Sequence, residues 1–200
     1  MHFEQIFLDG LRAAHLIFFA AGMGAALYHE YLTARSFRGE ISEQDICGIE
    51  MLHRWIVLAF SGLWLTGIGL IYVRTAFDLS QFSPKLWVKV GIMLIMTLNA
   101  LMISRCVLPI LKNNIGKAMS SLPALQLFTM TQLAAVSMFC WSSGMVLGSS
   151  QYLKTAAWNV LSPLVVGWFV TVTLVALVVV MALREKGSGD VALSTNQQER

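Results

Sequence analysis

Three histidines set in apolar surroundings, His15, His29 and His53, are the side chains of this chain best suited to chemistry. An imidazole titrates near neutral pH and is a common metal ligand, and it is costly to keep inside hydrocarbon without a task or a partner. His15 and His29 stand fourteen positions apart in one apolar stretch. At 100° and 1.5 Å per residue they return to within about 40° of the same helix face, separated by roughly 21 Å. One helix face then carries an imidazole near each surface of a bilayer core about 30 Å thick, which is the spacing needed to ligate haems stacked across it. His53 opens the next apolar stretch on the same side as His29. The expectation is that His29 and His53 hold one haem b iron from opposite faces. His15 is then either the ligand of a second haem or a catalytic group. No other histidine within the spans is left to face it; His2 sits at the terminus, and Met138, on a polar stretch further on, is a candidate sixth ligand.

Cationic and small residues near these histidines fit the same picture. Arg12 lies one turn before His15, and Arg35, Arg38 and Arg54 lie near the inner pair. Guanidinium groups suit haem propionates as bidentate partners, and equally serve as anchors at the membrane surface. Gly22, Gly24, Gly62, Gly67 and Gly69 remove side chains where a macrocycle could press, or where two helices come close. A nonhaem metal is the rival: Glu30 adjoins His29, and Glu50-x-x-His53 places a carboxylate and an imidazole on one helix face. Only one such motif is present, whereas a di-iron bundle uses two. Cys47, Cys106 and Cys140 form no C-x-x-C pair, which argues against a zinc site, a redox dithiol or covalent haem attachment.

The elements that must position these groups are membrane spans. Of 200 residues, 56% are hydrophobic and only 12% charged, with a mean hydropathy of +0.67. Lipid is the natural solvent of such a chain. Five stretches reach the roughly 20 apolar residues that a crossing requires, at about 6–31, 51–72, 86–108, 122–147 and 160–183. The predicted fold is therefore all-α and membrane-integral, a four-helix core with one added helix, forming a single domain over residues 1–186. Glu4 and Asp9 stand where a signal peptide would be basic, so the first span is expected to be retained. Pro123 and Pro163 suit the first turns of the fourth and fifth helices. Asn99 on the third helix and Thr129, Thr131, Gln132, Ser142 and Ser143 on the fourth are polar enough to face the bundle interior or a quinone headgroup. The segment 187–200 is polar and aperiodic, and is expected to be a disordered cytoplasmic tail. Lys and Arg are richer in the first loop, the third loop and the C-terminal segment than on the opposite side, which predicts an N-terminus outside and a C-terminus in the cytoplasm of a bacterial inner membrane.

Leu11-Arg-Ala-Ala-His-Leu16 on the first span, the L-x-L-x-G-x-G-L-I pattern of the second and the Lys85-Leu-Trp-Val-Lys-Val90 opening of the third form a recognisable set. Over Leu11 to Leu111 the chain resembles the HemJ-type protoporphyrinogen oxidases and the related CopD-like membrane domains. That resemblance implies a histidine at His15 and a lysine at Lys89 as functional groups, bound b-type haem and oxidation of a porphyrinogen. Its CopD-like side implies copper handling instead. The reading that combines these signals is a b-type haem membrane protein for electron transfer, with a quinone or porphyrinogen as reaction partner. Metal transport, or service as a subunit of a larger respiratory or photosynthetic complex or a homodimer, are the alternatives. Nothing in the charge pattern suits a nucleic acid.

Overall fold

The structure, a computed structural model, describes residues 2–36 and 39–198, without the side chains of residues 2, 3, 34–36, 120 and 182–198. The helices are α1 (His2–Ser36), α2 (Glu43–Thr75), α3 (Pro84–Met102), α4 (Leu108–Lys112), α5 (Ala124–Ser149) and α6 (Trp158–Gln198). A π-helical turn, Ile103–Val107, joins α3 to α4. Together those three make one span, and five helices in all are long and apolar enough to cross a membrane: Glu4–Thr33, Glu43–Thr75, Pro84–Lys112, Ala124–Ser149 and Trp158–Met181. Among the described residues there is no strand, only an isolated bridge between Glu40 and Ala118. This is an all-α membrane protein.

Hydropathy marks the lipid-crossing part of each helix, and the helices themselves run further. α2 begins at Glu43, eight residues before the apolar stretch starts at Met51. Ser42 caps it: the Asp45 N–H donates to Ser42 Oγ at 3.1 Å, and the Ser42 N–H donates back to Asp45 Oδ2 at 3.2 Å. This reciprocal box satisfies end groups that would otherwise be orphaned, so the first turns, of mixed polarity, are helical too. His53 accordingly sits roughly 15 Å along α2 and not at its start. The π-helical turn has its own local cause in Pro109. Proline cannot donate to the carbonyl one turn back and its ring presses on that carbonyl, and a widened turn just before it relieves both problems. At the other end of the chain the helical backbone continues to Gln198, across part of the segment that composition assigns to a disordered tail.

α1 packs along α2, while α5 lies against α3, α6 and α1, leaving α6 at the side of a four-helix core. Ala26, Phe60, Leu63, Met96, Phe139 and Trp141 form its centre. A second cluster, including Ile41, Ile49, Leu111, Met119 and Leu122, closes the end where the α1–α2 and α4–α5 connections meet. There the Ile41 N–H donates to the Lys117 carbonyl at 3.0 Å and the Gly116 N–H donates to the Ile41 carbonyl at 2.9 Å. At the opposite end Lys85 Nζ donates to the Ser150 carbonyl at 2.8 Å. Alternate loops are thus tied on alternate sides, as successive crossings require. Outward-facing Leu65, Ile6 and Val166 are largely exposed and suit contact with lipid tails.

The helix glycines admit neighbouring side chains. A Cβ on Gly22 would run into the Trp141 ring, one on Gly62 into Phe18 and one on Gly69 into Leu11. Close helix packing therefore explains these three, and the reading of them as room for a macrocycle is corrected. Gly24 meets nothing nearby.

Candidate functional site

His15 is satisfied within the fold. Its Nδ1 lies 2.8 Å from Thr66 Oγ1, and that hydroxyl donates its proton to the Gly62 carbonyl at 2.7 Å. A hydroxyl has one proton, so both contacts are hydrogen bonds only when His15 Nδ1 carries its own proton and donates. Nε2 then keeps its lone pair. Lys89 lies within charge-interaction reach of His15, so the two groups singled out by the family resemblance share one neighbourhood. Arg12 does not join them: it pairs with Asp9 at 2.8 Å on the exposed surface.

His53 repeats the device one helix further on. Its Nε2 is 2.7 Å from Ser104 Oγ, whose proton goes to the Ala100 carbonyl at 3.1 Å. Nε2 is therefore the donor, and Nδ1 is the nitrogen left with a lone pair. Ser104 stands in the π-helical turn, which brings its hydroxyl to the histidine.

His29 differs from both, because its Nε2 is buried and has no hydrogen-bond partner. Together with Glu30, His53, Asn99, Ser137 and Trp141 it lines a cavity of about 30 Å³. The structure thus brings His29 and His53 to a common space, as the sequence suggests. At about 30 Å³ that space has room for a water and not for a macrocycle, with Trp141 and Asn99 in its wall. A haem sandwiched between these two imidazoles does not fit this arrangement.

A second and larger pocket shares His29 and Glu30 with this cavity. It measures about 480 Å³ and lies between α1, the π-helical turn, α5 and α6. His29, Glu30 and Thr33 of α1 line it, with Met138 of α5 and Thr171 and Val175 of α6 among the facing residues. Most of its remaining wall is aliphatic. His29, Glu30 and Ile103 belong to both cavities, so the His29 ring is shared by a larger lateral pocket and a small one whose mostly apolar wall carries a few polar groups. Sequence reasoning missed the pocket. Met138, expected from the sequence as a candidate partner of His15, lines this pocket with His29 instead.

The remaining candidates fall outside this centre. Glu50 of the E-x-x-H motif is 2.6 Å from Lys112 Nζ, so its carboxylate is engaged in an ion pair. Among the described residues no three His, Cys, Asp or Glu side chains cluster in a way that could hold a metal ion. Arg54 is exposed on α2 and lines neither cavity. Arg38 and the Arg35 side chain lie outside the described residues. The three cysteines are free thiols.

No family model, curated protein or solved structure matches this chain. Fold and site together define a class: a polytopic α-helical membrane protein with an intramembrane histidine poised between two cavities.

Proposed function

We propose that this protein binds one haem b in the lateral pocket and serves membrane electron transfer. The observation that carries the reading is a buried, unpartnered imidazole, His29, in the wall of an apolar pocket of about 480 Å³. Cofactor pockets typically measure about 300–1,000 Å³, with mostly apolar walls and a few placed polar groups. The donor set suits the group as well. A neutral imidazole and a thioether are established axial ligands of haem iron, and His29 and Met138 are the residues that would hold it. Haem, when bound, supplies one-electron redox chemistry.

The chain's own contributions are orientation and environment. His29 fixes the position of the ligand relative to α1. Aliphatic side chains of α5 and α6 exclude water, and Glu30 and Thr33 give the wall its polar edge. The resemblance of Leu11 to Leu111 to HemJ-type proteins supports a porphyrin as the ring-shaped occupant, with His15 and Lys89 as a separate reactive locus for a porphyrinogen or quinone. We place the protein in a bacterial inner membrane with the C-terminus cytoplasmic, on the loop distribution of Lys and Arg. A C-terminal reporter fusion active in the cytoplasm is the expected result, and one active only outside would reverse the topology.

Absorption spectra of the purified protein, expressed with ample haem, test the main reading. A Soret band that shifts on reduction with dithionite is expected. Protein without a Soret band would remove the proposal.

A further inference from the structure

Beyond the haem reading, the small cavity between His29, Asn99 and Trp141 has a chemistry of its own. Trp141 is 2% exposed and Asn99 5% exposed. The Trp141 Nε1–H donor and the Asn99 Oδ1 acceptor are both buried without a partner, and both residues line the cavity. The Asn99 amide is oriented by its other end, since Nδ2 donates to the Leu133 carbonyl at 3.1 Å. That bond leaves Oδ1, an acceptor only, as the atom without a partner. An indole N–H can only donate. One orphan donor and one orphan acceptor on different helices call for a ligand that accepts and donates at once.

We propose that this cavity is a binding site for a single structural water. Its oxygen accepts from Trp141 Nε1–H and one of its protons goes to Asn99 Oδ1, which ties α5 to α3. Its second proton goes to His53 Nδ1, the imidazole nitrogen left with a lone pair, on the α2 side of the cavity. The site meets both requirements for a buried water. Its volume of about 30 Å³ exceeds the roughly 10–15 Å³ that one water needs, and three hydrogen bonds is the usual complement. The bound water thus ties α5, α3 and α2 together and leaves the orphan His29 Nε2 for the ligand of the lateral pocket.

Nuclear magnetic resonance of the full-length protein in detergent, labelled with ¹⁵N at its six tryptophan indoles, tests this. The Trp141 indole proton is identified by its absence in Trp141→Phe, and is expected to show a cross-peak to a long-lived water. Asn99→Leu, which removes the acceptor, should abolish that cross-peak. So should Ala100→Val, which fills the cavity without altering a polar group and carries the test alone if Asn99→Leu does not fold. Absence of the cross-peak in the unmodified protein, or its survival in Ala100→Val, would overturn the proposal. The same spectra are expected from protein that contains no haem, so failure of this inference and failure of the haem reading are distinguishable.

Discussion

His15 and His29 lie on one helix, on nearly one face, and differ in what the fold provides for them. His15 donates to Thr66, which donates in turn to Gly62, and the chain of hydrogen bonds ends on a backbone carbonyl. His29 has a buried nitrogen that ends on nothing. A satisfied polar group inside a membrane helix is explained by packing between helices. One left unsatisfied is expensive, and persists where a ligand or a water completes it. His53 stands with His15 in this respect, through Ser104 and Ala100. The contrast sets one histidine of three apart by a buried nitrogen without a partner, although all three look alike in sequence.

The largest effect expected from breaking this contrast is on the His29 side. Ala176→Trp, on the α6 wall of the lateral pocket, should exclude the ring-shaped ligand and remove the haem absorbance while leaving the helical circular dichroism unchanged. On the His15 side the effects should fall on stability. Thr66→Val strands the His15 donor and should cost about 1–3 kcal/mol, while adding His15→Leu to it should recover most of that loss. Thermal unfolding of the two single variants and the double variant measures the coupling. Gly22→Ala drives a methyl into Trp141, the indole beneath His29, and overpacking of this kind costs about 1–3 kcal/mol.

The smallest change belongs to the turn after α2, at the end of the bundle that holds His15. Ala76 has φ 47° and Phe77 φ 61°, both in the left-handed region. Ala76→Gly should raise stability by about 1 kcal/mol, since a side chain in that region costs roughly 1–2 kcal/mol. An increase in melting temperature is the expected readout, and a decrease would show that the Ala76 methyl contributes packing instead.

Span number and helix type were legible in the sequence, because segment length against bilayer thickness is a coarse and robust signal. Helix ends were not: Glu43–Glu50 mixes charged residues with Ile46 and Ile49, too little apolar length to read as part of a span, and the Ser42–Asp45 cap starts the helix there. The convergence of His29 and His53 could be read from their place at one membrane surface. What bounds the space between them could not, since it depends on Trp141, far along the chain on α5, resting on Gly22. The partners of His15 and His53 were equally hidden. Each is a hydroxyl fifty-one positions distant, and nothing in helical periodicity pairs Thr66 with His15 or Ser104 with His53. The lateral pocket requires the placement of α6, whose span, Trp158–Met181, is so largely apolar that it carries little directional pattern.

Haem content per chain in His29→Ala and His15→Ala, measured side by side in protein expressed with ample haem, tests the central claim most directly. The account predicts no bound haem in His29→Ala, and one haem per chain in His15→Ala as in the unmodified protein. Equal haem in both variants, or loss in His15→Ala alone, would contradict it.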